Sequence, residues 1–461
     1  MQPLHTDRPD CTVPCEEPLP GARGALFLLL AINLFNYIDR QVLAAVVPDI
    51  RRVFHQSDAQ IGMLSMAFMV VYMTCAPLFA RLAERWSRWM IVGAAVMAWS
   101  VATGASGLAV TFGMLFLTRC FVGVGEAAYA PVAQAMLSDL YPVSRRGRVL
   151  AWFNMAIPVG SALGFVLGGY MTGRWPENGW RWAFGLVVLP GLVLGGLAIL
   201  RGRRTNFVGR FVDKVPDKAP DKVTAQPSGN PRGNAAATVA LRSRLHDYLR
   251  LLRTPSYFLC TAGMCCSTFA IGGIGFWMVD YVKHRTEDPH AAVIFGLIVV
   301  VSGLTATLLG GMLGDRLRRR WGGAYFLVSG AGMLLGFPIF LLVLNESIPF
   351  PFTWVFIFLT CFCLFFNTGP TNAILANVNR PALRPMAFAL NILLIHALGD
   401  VPSPFIIGLI ADQFGGDLNV AFRAVALMFI LSGVFWLLGA RFLARDTARA
   451  EEEEKSLVIG Q

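Results

Sequence analysis

The stretch Thr118-Arg119-Cys120-Phe121-Val122-Gly123-Val124-Gly125-Glu126 places an arginine and a glutamate inside an apolar run from Phe112 to Tyr141. The run is long enough to cross a bilayer, and it predicts a helix with Arg119 and Glu126 on one face, two turns apart. A charge within a bilayer is costly and normally faces a bundle interior or a wet cavity. Two interpretations are open: a structural ion pair that locks two helices, or a substrate or proton site. We favour the second.

The whole chain has the composition of a helical membrane protein. Of its 461 residues, 55% are hydrophobic and only 15% are charged, whereas about a quarter are charged in a soluble chain. Apolar runs long enough to cross a membrane recur along almost its whole length. They predict twelve spans, at 23–48, 59–82, 89–109, 112–139, 149–172, 182–200, 255–281, 291–313, 323–344, 352–376, 386–411 and 420–443.

Basic residues are concentrated in alternate loops, which predicts an orientation. The formal net charge is +11, and most of it lies on one side of the predicted spans. The positive-inside rule places that side, with both termini and the central loop, in the cytoplasm. The charge therefore indicates a membrane surface and no nucleic-acid partner. Residues 1–20 lack the apolar core of a signal peptide.

A break in composition divides the predicted spans six and six. Residues 205–235 are of low complexity and cannot bury a core, so we expect them to be poorly ordered. Residues 241–253 then follow the pattern of a basic amphipathic helix on the cytoplasmic face. The predicted segments are an N-terminal tail at 1–22, a six-helix bundle at 23–204, a linker with the amphipathic helix at 205–254, a six-helix bundle at 255–445 and a C-terminal tail at 446–461.

An internal repeat supports this division. Gly311-Met312-Leu313-Gly314-Asp315-Arg316-Leu317-Arg318-Arg319-Arg320 follows the eighth span, and Ala80-Arg81-Leu82-Ala83-Glu84-Arg85-Trp86-Ser87-Arg88-Trp89 follows the second. Both resemble the signature loop of the major facilitator superfamily, although the first copy has alanine for its leading glycine and glutamate for its aspartate. The resemblance implies an all-α membrane protein of twelve helices in two six-helix bundles around a central cavity. It also implies a cytoplasmic latch with Glu84, Arg85, Asp315 and Arg316 as gating residues.

Asp39 and Arg119 are predicted to lie at similar depths in the membrane. With the N-terminus inside, Asp39 is about nine residues, or roughly 14 Å, from the outer end of the first span at Pro48. Arg119 is about seven residues, or roughly 11 Å, from the outer end of the fourth span. We therefore predict an Asp39–Arg119 ion pair. Tyr37 and Arg40 interrupt the same apolar run as Asp39.

Glu126 is predicted to lie two turns deeper than Arg119, near the midplane, where transporters hold substrates and coupling ions. This interpretation assigns no cation to Glu126, so burial favours its neutral form. A buried carboxylate that gains and loses a proton is what proton coupling requires. We predict Glu126 and Asp39 as the proton-coupling residues.

The second half of the chain offers a smaller polar set. His396 and Asp400 lie on one face of the eleventh span, at i and i+4, and Asn367 adds a neutral polar group. For His396, a hydrogen-bonded packing role and a working role are both open. Five aromatic side chains either line an apolar cavity for an acyl chain or face lipid: Phe269, Phe276, Trp277, Phe365 and Phe366.

The sequence carries no pattern of an enzyme or a metal protein. Seven of the nine cysteines fall inside apolar runs, where cysteine acts as a small hydrophobe. No nucleotide loop, metal motif or nucleophile–base spacing is present, and Gly123-Val124-Gly125 lacks the preceding strand and third glycine of a dinucleotide fingerprint. We expect no metal and no cofactor.

Several short motifs together resemble the Spinster family, from the first span to the eleventh. They are Asn36-Tyr37-Ile38-Asp39-Arg40, Val122-Gly123-Val124-Gly125-Glu126-Ala127, Ala156-Ile157-Pro158-Val159-Gly160-Ser161 and His396-Ala397-Leu398-Gly399-Asp400-Val401-Pro402-Ser403-Pro404. Spinster transporters move sphingolipids and lysophospholipids and are proposed to use proton coupling. The resemblance implies that Asp39, Arg40, Arg119 and Glu126 occupy the coupling and substrate positions. We expect further substrate contacts from Tyr37, Asn367, His396 and Trp277.

The function expected from this resemblance is proton-coupled transport of a lipid-like amphipathic anion by alternating access. Its partners would be a lipid or lysolipid, protons and the bilayer, and the protein would act as a monomer in a bacterial inner membrane. The alternative on the same fold is an exporter of another small organic anion or drug. A non-transporting receptor or membrane enzyme is a third hypothesis, which substrate flux without chemical change would exclude.

Overall fold

The computed structural model describes residues 18–204, 248–286, 288, 290–380 and 383–459. The predicted linker at 205–235, most of the N-terminal tail and the first part of the predicted amphipathic helix lie outside these residues. The side chains of Glu84 and Arg85 also lie outside the described part, so the first copy of the predicted latch is not described at the level of contacts.

Twelve helical segments of the described chain are long and apolar enough to cross a membrane, which confirms the predicted number. Three shorter helices accompany them: Val47–Phe54 between spans 1 and 2, Val143–Asn154 before span 5, and Leu443–Ile459 after span 12. Residues 248–253, directly before span 7, are helical as well. Spans 1 to 6 are Ala22–Ala45, Asp58–Arg85, Arg88–Gly107, Phe112–Ala127 continued by Ala130–Leu140, Ala156–Arg174 and Gly179–Arg204. Spans 7, 8, 9 and 12 are Pro255–Thr286, Ala291–Arg318, Ala324–Val343 and Leu418–Gly439. Span 10 is Phe350–Phe365 continued by Thr368–Asn377. Span 11 is Arg384–Ile395, continued by a π-helical turn at His396–Asp400 and by Ser403–Gln413.

Local sequence explains where several of these helices begin. Ser57 starts span 2 with a capping box, in which its hydroxyl accepts from the Gln60 amide and the Gln60 side chain accepts from the Ser57 amide. Pro131 stands in the first turn of the second part of span 4, where a missing N–H costs least. The break at Ala128 and Tyr129 follows Ala127, so the Glu126 carboxylate lies in the last turn of a helical segment.

Spans 1 and 5 pack closely because glycines remove side chains between them. A Cβ atom at Gly160 would stand 2.6 Å from the Leu34 carbonyl oxygen, and one at Gly164 would stand 2.5 Å from that of Ile38. Neither position has room for a larger residue without a shift of the backbone. This contact fixes span 1, and with it Asp39 and Arg40, against the rest of the bundle.

We call spans 1–6 the N-terminal half and spans 7–12 the C-terminal half. Within the first, span 3 packs against spans 4 and 6, and within the second, span 12 packs against spans 7 and 9. Between the halves, span 2 packs against span 11 and span 5 against span 8. Each half therefore contributes its second and its fifth span to the contact, which is the pairing expected of two repeats related by an approximate two-fold axis.

The membrane-spanning helices alternate in direction, so the ends of spans 2 and 8 lie on the same side as the start of span 1. We call this the terminus side, and the side that carries the helix Val47–Phe54 the far side. Both copies of the repeated loop follow even-numbered spans and therefore lie on the terminus side. The predicted bounds of the two bundles and the tails remain a prediction.

Candidate functional site

An ion pair between spans 1 and 4 forms the centre of the site. Arg40 Nε donates to Glu126 Oε2 across 2.6 Å. The Glu126 side chain is fully buried, and that of Arg40 is 19% exposed. The interpretation that left Glu126 without a cation is therefore corrected. Comparison of backbone depths missed this partner because an arginine side chain reaches several ångströms along the helix axis.

A second pair lies beside the first. Arg119 Nη1 is 3.9 Å from Asp39 Oδ1, and both side chains are buried. This distance makes an ion pair without a direct hydrogen bond. Thr103 of span 3 donates to the other oxygen of Asp39 across 2.5 Å. The predicted proximity of Asp39 and Arg119 is present in the structure, while the roles assigned to them remain predictions.

Aromatic rings surround the two guanidinium groups. Arg40 lies 5.3 Å from the ring centroid of Tyr37, 5.1 Å from that of Phe68 and 5.0 Å from that of Tyr72. Arg119 lies 5.5 Å from Phe68, which therefore stands between the two cations. Such contacts attract a cation through the ring face and hold it in place without neutralising it. Phe68 and Tyr72 were not among the predicted site residues, although their i, i+4 spacing places them on one face of span 2.

The cluster balances its charges but leaves hydrogen-bonding capacity unused. Asp39, Arg40, Arg119 and Glu126 carry formal charges that sum to zero. Within the described residues, buried atoms without a hydrogen-bond partner include Glu126 Oε1, Asp39 Oδ1 and the Arg119 Nε and Nη1 groups. Buried polar atoms are rarely left unpaired in folded proteins. We call these four residues the charge cluster, a site with capacity for a proton or for the polar atoms of a ligand.

His396 and Asp400 form the polar feature of the C-terminal half. His396 Nδ1 lies 2.9 Å from Asp400 Oδ1, and the two side chains are 32% and 25% exposed. They occupy the π-helical turn of span 11, a type of turn that is frequent at functional sites. Gly272 of span 7 lets that helix approach the turn, because a Cβ there would stand 2.6 Å from Asp400 Cβ. Their predicted contact is present, and their role stays a prediction.

Two of the predicted substrate residues have packing contacts instead. The Asn367 amide donates to the Leu364 carbonyl of its own span across 2.7 Å. Trp277 is fully buried, and its indole donates to the Pro404 carbonyl across 2.9 Å. Its ring lies 5.5 Å from the Arg51 guanidinium, which places it among the far-side contacts between the halves. The structure does not bring either residue to the charge cluster.

The second copy of the predicted latch is described. Asp315 accepts a hydrogen bond from the Tyr325 hydroxyl across 2.7 Å. Both Asp315 and Arg316 are exposed at the end of span 8, on the terminus side. This surface position separates them from the charge cluster, as expected for a mechanical role.

Polar contacts on the far side join the two halves. Arg51 contacts Asp58 of its own half and lies 2.7 Å from Asp280 Oδ2 of the other. Asp412 of span 11 accepts from the backbone amides of Asp58 and Ala59, across 2.8 and 2.9 Å. A carboxylate at the start of a helix is favoured by the free amides and the helix dipole.

A second ion pair between the halves adds to these contacts. Lys283 of span 7 lies 3.7 Å from Asp49, which precedes span 2. Burial raises the pKa of Asp49, while the charges of Lys283 and Arg52 oppose that rise. We call Asp49, Arg51, Asp58, Asp280, Lys283 and Asp412 the far-side gate. No sequence pattern predicts this gate, because its pairing depends on how the two halves dock.

Similarity to known proteins identifies the class of this protein and then its family. Residues 29–399 match the Major Facilitator Superfamily, so the chain is a membrane transporter of that superfamily. It is 32% identical over 453 residues to Protein spinster homolog 1 of Xenopus laevis, an alignment that covers 92% of this chain and 82% of the relative. It is 31% identical to Protein spinster homolog 1 of Homo sapiens, with coverages of 95% and 84%. The chain belongs to the Spinster family, as its motifs predicted.

Solved structures show the same fold. The crystal structure of a bacterial homologue of the human lysosomal transporter Spinster, inward-facing and unoccupied, matches with a TM-score of 0.72 and 20% identity, covering 95% of this chain and 99% of that one. The crystal structure of a D-xylose–proton symporter matches with a TM-score of 0.63 and 17% identity, covering 91% and 96%. Family and fold are those of transporters rather than of enzymes.

Proposed function

We propose that this protein is a proton-coupled secondary active transporter of a lipid-like amphipathic anion, of the sphingolipid or lysophospholipid class, working by alternating access. The observation that carries the proposal is the Arg40–Glu126 pair, in which a partly exposed cation is held by a fully buried carboxylate. An anionic head group that binds Arg40 competes with Glu126 for the guanidinium. A Glu126 that has lost its cation is then a buried negative charge without a partner, which is costly in a membrane-spanning bundle.

This exchange couples substrate to proton through charge balance. The charge cluster is neutral when both acids are ionised, so binding an anion alone leaves a buried negative charge. Uptake of one proton on Glu126 restores neutrality, because the head group then replaces the carboxylate as the partner of Arg40. The occupied and empty states are thus both neutral, and each is suited to a change of conformation within a low-dielectric bundle.

The two arginines have different parts in this proposal. Arg40 is the cation that meets substrate, because it has exposed surface and aromatic neighbours that tolerate an apolar group beside it. Arg119 is buried and holds Asp39, which Thr103 also holds. Asp39 is accordingly the second candidate for protonation. His396, which contacts Asp400, would meet substrate from the C-terminal half.

The lipid-like nature of the substrate rests on the Spinster family resemblance, with the aromatic surroundings of Arg40 in support. The alternative is an exporter of another small organic anion or drug, since the charge cluster would recognise any anion of suitable size. The likeness to a D-xylose–proton symporter favours keeping that alternative, because the fold there moves a polar solute.

We further propose a monomer in a bacterial inner membrane, with both termini in the cytoplasm. The basic loops on the terminus side support that orientation. The far-side gate would then close the periplasmic side, and the conformation would be one that is accessible from the cytoplasm.

Reconstitution into proteoliposomes tests the proposal. We expect a labelled lysophospholipid to be transported under an imposed pH gradient, and Glu126→Gln to abolish that dependence. Labelled soluble organic anions form the parallel arm, and a preference for them favours the alternative function. A wild-type transport rate that does not depend on the pH gradient contradicts proton coupling.

A further inference from the structure

A cavity of about 480 Å³ lies on the terminus side of the C-terminal half, away from the charge cluster. Three parts of the chain line it: residues 249–255 at the entry to span 7, the connection between spans 10 and 11, and the C-terminal helix Leu443–Ile459. The lining residues lie in segments next to the spans of the C-terminal half, and none of them takes part in the proposed transport site.

Cations outnumber anions in its wall. The arginines are Arg250, Arg253, Arg380 and Arg449, and the carboxylates are Asp446 and Glu453. Asp446 is committed elsewhere, because it accepts from the Ser256 amide at the start of span 7 across 3.0 Å and from Arg445 across 3.0 Å.

One carboxylate, that of Glu453, contacts three of the arginines. Glu453 accepts from Arg250 across 2.5 Å and from Arg449 across 3.2 Å, and it lies 3.6 Å from Arg380. Its single negative charge cannot balance three guanidinium groups. In the described part of the chain, Arg380 Nε is a buried donor without a hydrogen-bond acceptor. Arg253 is exposed at the same wall, and no carboxylate of the described residues pairs with it.

The rest of the wall is mainly apolar, with Thr254 and Asn379 as its uncharged polar residues. Leu249, Leu251, Val378, Leu383 and Ala450 line the cavity between the arginines. A guanidinium group binds phosphate oxygens in a planar, paired geometry, and such charge-assisted hydrogen bonds are stronger than neutral ones. Arginines beside an apolar wall suit a phosphate group that carries a short apolar portion, at the level of the lipid head groups.

We propose that this cavity is a phosphate-binding site, distinct from the transport site, with Arg253 and Arg380 as its principal donors. The phosphate comes either from the head group of an anionic phospholipid or from free phosphate. Its occupation ties the start of span 7, the entry to span 11 and the C-terminal helix together, because each of the three contributes a wall. Bound phosphate therefore stabilises the C-terminal half.

Thermal unfolding of the full-length protein in a neutral detergent tests the proposal. The probes are phosphatidylglycerol, phosphatidylcholine and inorganic phosphate, each titrated separately. The test variants are Arg253→Gln alone and together with Arg380→Gln. The matched control is the double variant Arg319→Gln and Arg320→Gln, which removes two exposed arginines from the same side and the same half, outside the cavity.

We expect phosphatidylglycerol to raise the Tm of the wild type and of the control, and phosphatidylcholine to have no such effect. The apparent affinity for phosphatidylglycerol should fall about tenfold in Arg253→Gln, the weakening expected from loss of one charge-assisted hydrogen bond. Stabilisation by inorganic phosphate as well identifies the free ion as a sufficient ligand, and stabilisation by phosphatidylglycerol alone identifies the lipid head group.

Equal responses of the wild type and of Arg253→Gln overturn the proposal, as does a loss of response in the control. The proposal is also overturned if neither phosphatidylglycerol nor inorganic phosphate raises the Tm of the wild type. Because Arg253 is exposed, the single variant tests the site even if the double variant does not fold. The outcome is independent of transport, so failure of the transport proposal leaves this test intact.

Discussion

Arg40 Nε and Glu126 Oε2 are 2.6 Å apart, which ties span 1 to span 4 through a hydrogen-bonded ion pair. The neighbouring Asp39–Arg119 pair joins the same two spans at 3.9 Å, without a hydrogen bond. The two pairs therefore differ in exposure and in strength of contact. The tighter one has a partly exposed cation, and the looser one is fully enclosed. The proposed mechanism places substrate and proton exchange at the first pair and positioning of the helices at the second.

Glu126→Gln should fold and bind substrate but lose transport driven by a pH gradient. Glutamine keeps the shape of the side chain and resembles the protonated acid, so Arg40 is released for the anion while no proton can be exchanged. Gradient-driven uptake into proteoliposomes should fall to background, whereas counterflow should continue. Glu451→Gln, an exposed glutamate in the C-terminal helix, is the control and should keep both activities.

Full gradient-driven transport by Glu126→Gln would make that residue structural. The coupling proton would then have to be sought at Asp39 or at the His396–Asp400 pair. Asp39→Asn and Asp400→Asn under the same imposed gradient would distinguish these two positions.

Removal of one member of the enclosed pair should destabilise the protein. Asp39→Asn keeps an acceptor for Thr103 but leaves Arg119 as a buried cation with less compensation, and Arg119→Ala leaves Asp39 as a buried anion. Breaking a buried pair in this way costs about 3–5 kcal/mol. We expect a lower Tm for each variant in detergent.

The double variant Asp39→Asn with Arg119→Ala provides the control for charge. Both side chains are then neutral, so its Tm should lie above that of Arg119→Ala and the two effects should not add. Additive losses of stability would show that the two residues do not interact in the folded protein.

Sequence predicted the spans and the depth of the enclosed pair, but not the partner of Glu126. The rise per residue of a helix fixes the depth of each backbone position. Asp39 and Arg119 lie at matching depths, so their pairing follows from depth alone. Arg40 has a long side chain, and its contact with Glu126 depends on rotamer choice rather than on depth. The far-side gate was not predicted from the sequence for another reason. Arg51 and Asp280 lie in different halves, and no periodic pattern specifies how two halves dock.

Asp315→Ala should impair transport while leaving substrate affinity largely unchanged. Asp315 is exposed at the end of span 8 and contacts Tyr325, far from the charge cluster. Its loss alters the terminus-side surface without removing a substrate contact. Uptake rate in proteoliposomes and equilibrium binding to the same purified protein are the paired measurements.

Tyr325→Phe separates the hydrogen bond from the charge of Asp315. It removes only the hydroxyl donor, so a smaller loss of transport than in Asp315→Ala is expected. A fall in substrate affinity that matches the fall in uptake would contradict a mechanical role for Asp315.

Arg51→Gln should weaken the far-side gate and shift the protein towards a conformation open on that side. Arg51 contacts Asp58 in one half and Asp280 in the other, so its removal leaves two carboxylates facing each other. The control is Arg52→Gln, because Arg52 contacts Asp49 and the Pro176 carbonyl, both in the N-terminal half. The two variants remove the same charge from adjacent positions and differ in whether a contact between the halves is lost.

Hydrogen–deuterium exchange measures the shift without a label. The amides of Asp58 and Ala59 donate to Asp412 across the gate, so separation of the halves should expose them. Peptides that contain the start of span 2 should exchange faster in Arg51→Gln and at the wild-type rate in Arg52→Gln. Equal acceleration in both variants would mean that the start of span 2 responds to local charge alone. The polar contacts of Arg51 would then not hold the halves together, and closure would rest on the packing of span 2 against span 11 and of span 5 against span 8.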